Sequence, residues 1–149
     1  MNAEKELKAK GVNFELIHLT QTVHSVHDVK VACKCEASEV IKTLVFIGRT
    51  PIVVILPGDK RANVAKIETF IGERGLRMAK PEEVKVLTGY SVGSVSPFGI
   101  DPEIKQIADD SISTLPSLFI GSGKSDVLIK IAQTEFTKSF RGTFASISD

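Results

Sequence analysis

"SEVIKTLVFIGRTPIVVILPG", from Ser38 to Gly58, is the stretch on which the fold turns. Inside it, "TLVFIG" and "IVVILPG" are apolar runs of strand length on either side of a turn at Arg49-Thr50-Pro51. Runs without polar alternation are what a strand covered on both faces looks like. The stretch therefore predicts a β-hairpin of buried strands. Lys42 does not fit that pattern. It stands between an apolar pair, Val40 and Ile41, and the run Leu44-Val45-Phe46-Ile47. An ammonium at the mouth of a core strand is either an ordinary exposed lysine, the commoner case, or a charge that has something to hold.

The chain reads outward from this hairpin in both directions. "AEKELKAKG" is a helix pattern closed by Gly11, and "FELIHL" alternates as a strand does. "SVHDVKVAC" carries Val26, Val29 and Cys33 at helical spacing, and "EASEVIK" reads as a second short helix leading into the hairpin. Beyond the hairpin, "RANVAKIETFIG" places Val64, Ile67 and Ile71 on one face, with Gly72 as a stop. "KPEEVKVLTG" has Pro81 in its first turn, acids after it and Gly89 past its end. "IKQIAD", "SLFIG" and "VLIKI" read as late strands, and "TEFTKSF" as a last helix. Asp101-Pro102 also resembles a helix start, which leaves the first of those strands open to a helical reading. Such an order is not a clean βαβ alternation. It predicts an α/β (α+β) fold in one domain over residues 1–149, with a mixed, barrel-like, curved sheet and helices outside it.

Composition narrows the function classes. The 149 residues are 42% apolar and 25% charged, which suits a globular domain with a real core. No apolar run approaches a membrane span. The N-terminal "MNAEKELKAKG" lacks the apolar region of a signal peptide, so the expected compartment is the cytoplasm. Cys33 and Cys35, one residue apart, are expected as free thiols. The net charge of +1 is too small for a surface that grips nucleic acid alone. A nucleic-acid substrate would be touched over a small part, or held with a partner's help.

Three segments have chemical potential. "TGYSVGSVSPFG", Thr88 to Gly99, gathers Gly89, Gly93, Gly99, Ser91, Ser94, Ser96 and Pro97. Such a loop can aim several N–H groups at a carbonyl or phosphate oxygen, and it can also be a plain connection between strands. "FIGSGKS" invites a phosphate-loop reading but has Leu118 where the first glycine is required, so a glycine turn between strands fits better. "HSVHDVKVACKC" holds His24, His27, Cys33 and Cys35, but at a spacing unlike that of structural zinc sites. A metal-dependent hydrolase built on those four residues is the more distant alternative. No Ser-His-Asp arrangement can be read from spacing.

Taken together, "EVIKTLVF", "TGYSVGSVSPFG" and "SLFIGSGKSDVLIKI" resemble, in order and spacing, the YbaK/prolyl-tRNA-synthetase-associated editing domain. The resemblance runs from about Phe14 to the last helix. It implies hydrolysis of the ester between a wrong amino acid and the 3′ end of a tRNA, chiefly cysteine or alanine on tRNA for proline. It also implies no metal or other cofactor, and prolyl-tRNA synthetase as a possible partner. By the same resemblance, Lys42 is the catalytic lysine. Gly93, Ser94, Val95, Ser96 and Pro97 form a substrate-binding loop, and Gly121, Ser122 and Gly123 a second glycine turn at the site. "LTQTVHSV" helps to shape the amino-acid pocket. Asp126 departs from the pattern, since many relatives carry a small or basic residue there. A non-catalytic binding module of the same fold is the nearer alternative.

Overall fold

The computed structural model describes residues 2–149. In chain order the elements are helix α1 (Ala3–Ala9), strand β1 (Glu15–His18), α2 (Val26–Cys33), a 3₁₀ turn (Ala37–Glu39), β2 (Ile41–Ile47) and β3 (Pro51–Pro57). They continue with α3 (Val64–Ile71), β4 (Arg77–Met78), α4 (Pro81–Thr88), β5 (Lys105–Asp109) and a second 3₁₀ turn (Asp110–Thr114). The chain ends with β6 (Ser117–Gly121), β7 (Val127–Ala132), α5 (Gln133–Ser139) and β8 (Thr143–Ala145).

The hairpin lies at the centre. β2 and β3 pair antiparallel from Ile41↔Pro57 to Ile47↔Pro51, and β3 pairs parallel with β5 on its other edge. Ile52, Val53, Val54, Ile55 and Leu56 are all fully buried, which is why β3 reads as one continuous apolar run. Its residues alternate between two cores. Val53 and Ile55 join Ile41 and Val45 in the larger one, while Ile52, Val54 and Leu56 join Phe46 in the smaller. Burying a side chain of this size contributes about 1.5–3 kcal/mol relative to exposure, so this strand anchors both sides of the sheet.

The mixed sheet has five strands in the order β4-β2-β3-β5-β8. A separate antiparallel sheet runs β1-β7-β6. The two meet where Val40 bridges Phe119 just ahead of β2, and the strands do not close into a barrel. A third apolar cluster of Val23, Val29, Val40, Phe119 and Leu128 fills the junction beneath α2.

One expectation changes and one ambiguity is resolved. "EASEVIK" is not a helix: only Ala37–Glu39 turns, Val40 is already extended, and Ile41 and Lys42 belong to β2. Pairing of Ile41 with Pro57 and of Lys42 with Leu56 outweighs a weak helical pattern. "IKQIAD" resolves as a strand, because the Asp101-Pro102 corner turns back on itself. Asp101 accepts the Glu103 N–H on its side chain and the Ile104 N–H on its carbonyl.

Candidate functional site

A cavity of about 350 Å³ opens at the junction of the two sheets. One wall is the entry to α2, with Val23, His24, Ser25, Val26 and Val29. The start of β2 supplies Ile41, Lys42 and Thr43, and β6 supplies Phe119, Ile120 and Gly121. The loop after α4 closes another side with Val92, Gly93, Ser94 and Val95. Most of these side chains are apolar, so the few polar groups present define where a polar ligand can be held.

Lys42 is the charged group of β2. Strand alternation gives it the parity of Leu44 and Phe46, opposite Leu56, while Ile41 anchors the preceding position in the larger core. Its half-buried ammonium makes no hydrogen bond or ion pair among the described residues. Burial pushes its pKa below the ordinary lysine value; Asp59 pulls it back up and Arg61 presses it down. A partly desolvated cation without an acceptor is suited to an anionic ligand. Beside it, the Thr43 hydroxyl is buried without a hydrogen-bond partner.

The glycine-serine loop is shaped by its own hydrogen bonds. Gly89 caps α4, and Ser94 donates its N–H to Ser91 O at 3.0 Å. Gly93 has φ +90°, a conformation that side chains rarely adopt, and a Cβ there would press on His24 O at 3.1 Å. Among the described residues no acceptor takes the N–H groups of Gly93 and Val95, both at the cavity wall. Ser96 and Pro97 are buried and do not line the cavity. The Ser96 hydroxyl accepts the Phe98 N–H at 3.3 Å, so these two residues turn the loop back into the protein.

The second glycine turn is stitched to the first loop. Gly123 donates its N–H to Ser94 O at 3.0 Å, and Gly121 packs so closely on Val95 O that a Cβ would not fit. The Tyr90 ring stands against Gly123, whose φ is +95° and whose added Cβ would meet the ring at 2.6 Å. The Tyr90 hydroxyl donates to Phe98 O at 2.6 Å, and burial pushes its pKa up to about 12. Ser122 turns inward on its own segment, donating to Val127 O and accepting from the Lys124 N–H. The structure thus brings Lys42, Gly93, Ser94, Val95 and Gly121 to one cavity, and leaves Ser96, Pro97, Ser122 and Gly123 behind its walls. Asp126 is exposed and away from it; its carbonyl accepts the Leu19 N–H.

Other lining residues carry no motif. Met78, Ala79 and Pro81 reach the cavity from the short strand β4 and the start of α4, a placement that only the tertiary fold creates. His24 and its neighbours are foreshadowed by "LTQTVHSV". No group of three or more His, Cys, Asp or Glu side chains among the described residues is placed to hold a metal ion, so His24, His27, Cys33 and Cys35 do not converge on one point. The two thiols are half-buried behind the cavity wall, and burial raises both pKa values. No helix among the described residues is long and apolar enough to cross a membrane.

Comparison with known proteins gives the chain its relatives. The chain is 32% identical over 113 residues to the proline–tRNA ligase of Pseudothermotoga lettingae, covering 75% of this chain and 19% of that one. The proline–tRNA ligase of Thermosipho melanesiensis matches at the same identity, with 75% and 20% covered. The chain therefore spans about one fifth of the length of the curated relatives it matches. Among solved structures, a hypothetical protein superposes with a TM-score of 0.92 at 27% identity over 98% of both chains. One described as a proposed trans-editing enzyme for prolyl tRNA synthetase shares the fold, with a TM-score of 0.88 at 23% identity over 98% of this chain and 94% of that one. The model of the aminoacyl-tRNA editing domain matches residues 20–139, the stretch that contains the whole cavity, and the chain belongs to that family.

Proposed function

We propose that the protein is a deacylase that hydrolyses the ester of mischarged tRNA in trans, with alanine or cysteine on tRNA for proline as its substrates. The observation that carries this reading is that one largely apolar cavity is lined both by Lys42 and by Gly93 and Val95, whose N–H groups have no acceptor among the described residues. In this reading Lys42 is the anchor for the phosphate or ester of the terminal adenosine. The loop amides receive the carbonyl oxygen as it becomes an oxyanion. The ester is already activated, so water or a group of the substrate itself serves as nucleophile. The carbonyl carbon gains that oxygen or sulfur, the ester C–O bond breaks, and the ribose oxygen leaves with a proton.

A small apolar side chain suits the walls made by Val23, Val26, Val29 and Leu128. A synthetase pocket discriminates weakly against a smaller substrate, because a methylene is worth only about 1–3 kcal/mol. A second, hydrolytic site supplies the missing selectivity. With a net charge of +1, the protein holds the 3′ end of the tRNA and leaves the body of the tRNA to a synthetase partner. Residues 1–149 act in this reading as one editing unit in the cytoplasm, where that substrate is made. The test is a panel of aminoacyl-tRNAs offered to the purified protein, alone and with prolyl-tRNA synthetase. Release of alanine or cysteine from tRNA for proline, with correctly charged prolyl-tRNA left intact, is the expected result. No release from any member of the panel would remove the enzyme reading.

A further inference from the structure

The loop at the cavity is held from behind by two residues outside the segment that matches the editing family. Glu6, on α1, is only 8% exposed. Its Oε1 accepts the Gly99 N–H at 2.9 Å. Its Oε2 accepts from Lys10 Nζ at 3.1 Å and faces Arg141 Nε at 3.8 Å. Arg141, just beyond α5, donates from Nη2 to Ile100 O at 2.9 Å. Lys10 closes the ring by donating to Ser139 O at 2.9 Å. With the Tyr90 hydroxyl on Phe98 O, three consecutive residues, Phe98, Gly99 and Ile100, are each held by a side chain from elsewhere. They begin one residue after Pro97.

We propose that Glu6 is a positioning residue: with Arg141 it holds the Gly93–Pro97 loop in the arrangement that lines the cavity. Its kinetic consequence rests on the deacylase reading; its structural consequence does not. Stability alone is a poor reason for this carboxylate. A largely buried ion pair recovers its desolvation cost only with good geometry, and apolar replacements are often as stable. α1 is docked without it, by Ala3 and Leu7, both fully buried. What the carboxylate adds is direction. One oxygen serves a backbone N–H of the loop and the other serves the two cations, so the loop, α1 and the end of α5 share one fixed point. Gly93 and Val95 lie a few residues from that point, linked to it through the buried Ser96-Pro97 corner.

The experiment compares Glu6→Ala, Glu6→Gln and Arg141→Gln with the native protein by amide hydrogen exchange and by deacylation kinetics. Glutamine keeps an acceptor for the Gly99 N–H but loses the charge that Lys10 and Arg141 face. Exchange in the 93–99 segment should quicken by about tenfold or more in Glu6→Ala, with β2 and β3 unchanged, as expected for a local opening. On a substrate that the native protein hydrolyses, kcat should fall by about 10–100-fold, the scale of a small misplacement of reacting groups, with KM within about twofold. Glu6→Gln should fall between Glu6→Ala and the native protein. Native exchange in the loop of a folded Glu6→Ala variant, or exchange rising equally in the loop and β3, would overturn the proposal. If Glu6→Ala fails to fold, Glu6→Gln and Arg141→Gln decide by the same two readouts. If the native protein hydrolyses no aminoacyl-tRNA, the deacylase reading fails and the exchange result alone judges Glu6.

Discussion

Gly121 lies against the carbonyl of Val95 with no room for a Cβ between them. This contact and the Gly123 N–H bond to Ser94 O fix the separation of the two loops that line the cavity. Gly121→Ala must therefore push one loop off the other. Overpacking of this kind costs about 1–3 kcal/mol. The melting temperature should fall by several degrees, and deacylation by more than the stability loss explains, because the displaced groups include the Val95 N–H. Calorimetry beside single-turnover hydrolysis checks it; a variant that melts lower but hydrolyses at the native rate would separate this contact from the site.

Cys33 and Cys35 sit behind the cavity wall and take no part in the proposed reaction. Each is half-buried against the cluster of Val23, Val29, Val40, Phe119 and Leu128, and burial raises the pKa of each thiol. The thiolate is the reactive form, so alkylation by iodoacetamide at pH 8 should be slower than that of free cysteine. The paired substitution Cys33→Ser and Cys35→Ser should keep native turnover, and so should the protein assayed in chelator. A rate that collapses in either assay would point back to a metal or a thiol nucleophile.

The legible parts of this fold are those in which local pattern and tertiary packing agree. β3 could be read because Ile52–Leu56 is covered on both faces, and α4 because Pro81 and Gly89 mark its ends. β4 and β8, with two and three residues, carry no period of their own; β2 and β5 impose their conformation. "EASEVIK" misleads because the helical pattern is weak and the pairing of Ile41 and Lys42 with β3 is strong. At the cavity, glycine content marks both loops, but it does not reveal that Ser96 and Pro97 turn inward. Met78 and Glu6 are invisible for another reason. Their relation to the loop exists only once segments far apart in the chain have packed.

Lys42 is the residue on which the functional reading is most exposed to test. Burial lowers its pKa from 10.5, so the folded protein holds this proton less tightly than the unfolded chain does. Between the lowered value and 10.5 the unfolded state binds more protons, and stability rises with pH. Below that window, at neutral pH, the charged side chain costs the fold stability. Lys42→Met, which fills similar space without the charge, should therefore melt at or above the native temperature. Its deacylation rate should fall by roughly 10²–10³-fold, the scale of losing one well-placed electrostatic group. Lys42→Arg should restore little, because a planar fork does not replace a compact ammonium. If the ammonium meets one phosphate of a single strand, the slope of log(kcat/KM) against log salt should become shallower by about 0.7 in Lys42→Met. Full activity with an unchanged salt slope in a folded Lys42→Met protein would return Lys42 to the ordinary surface lysines and take the cavity assignment with it.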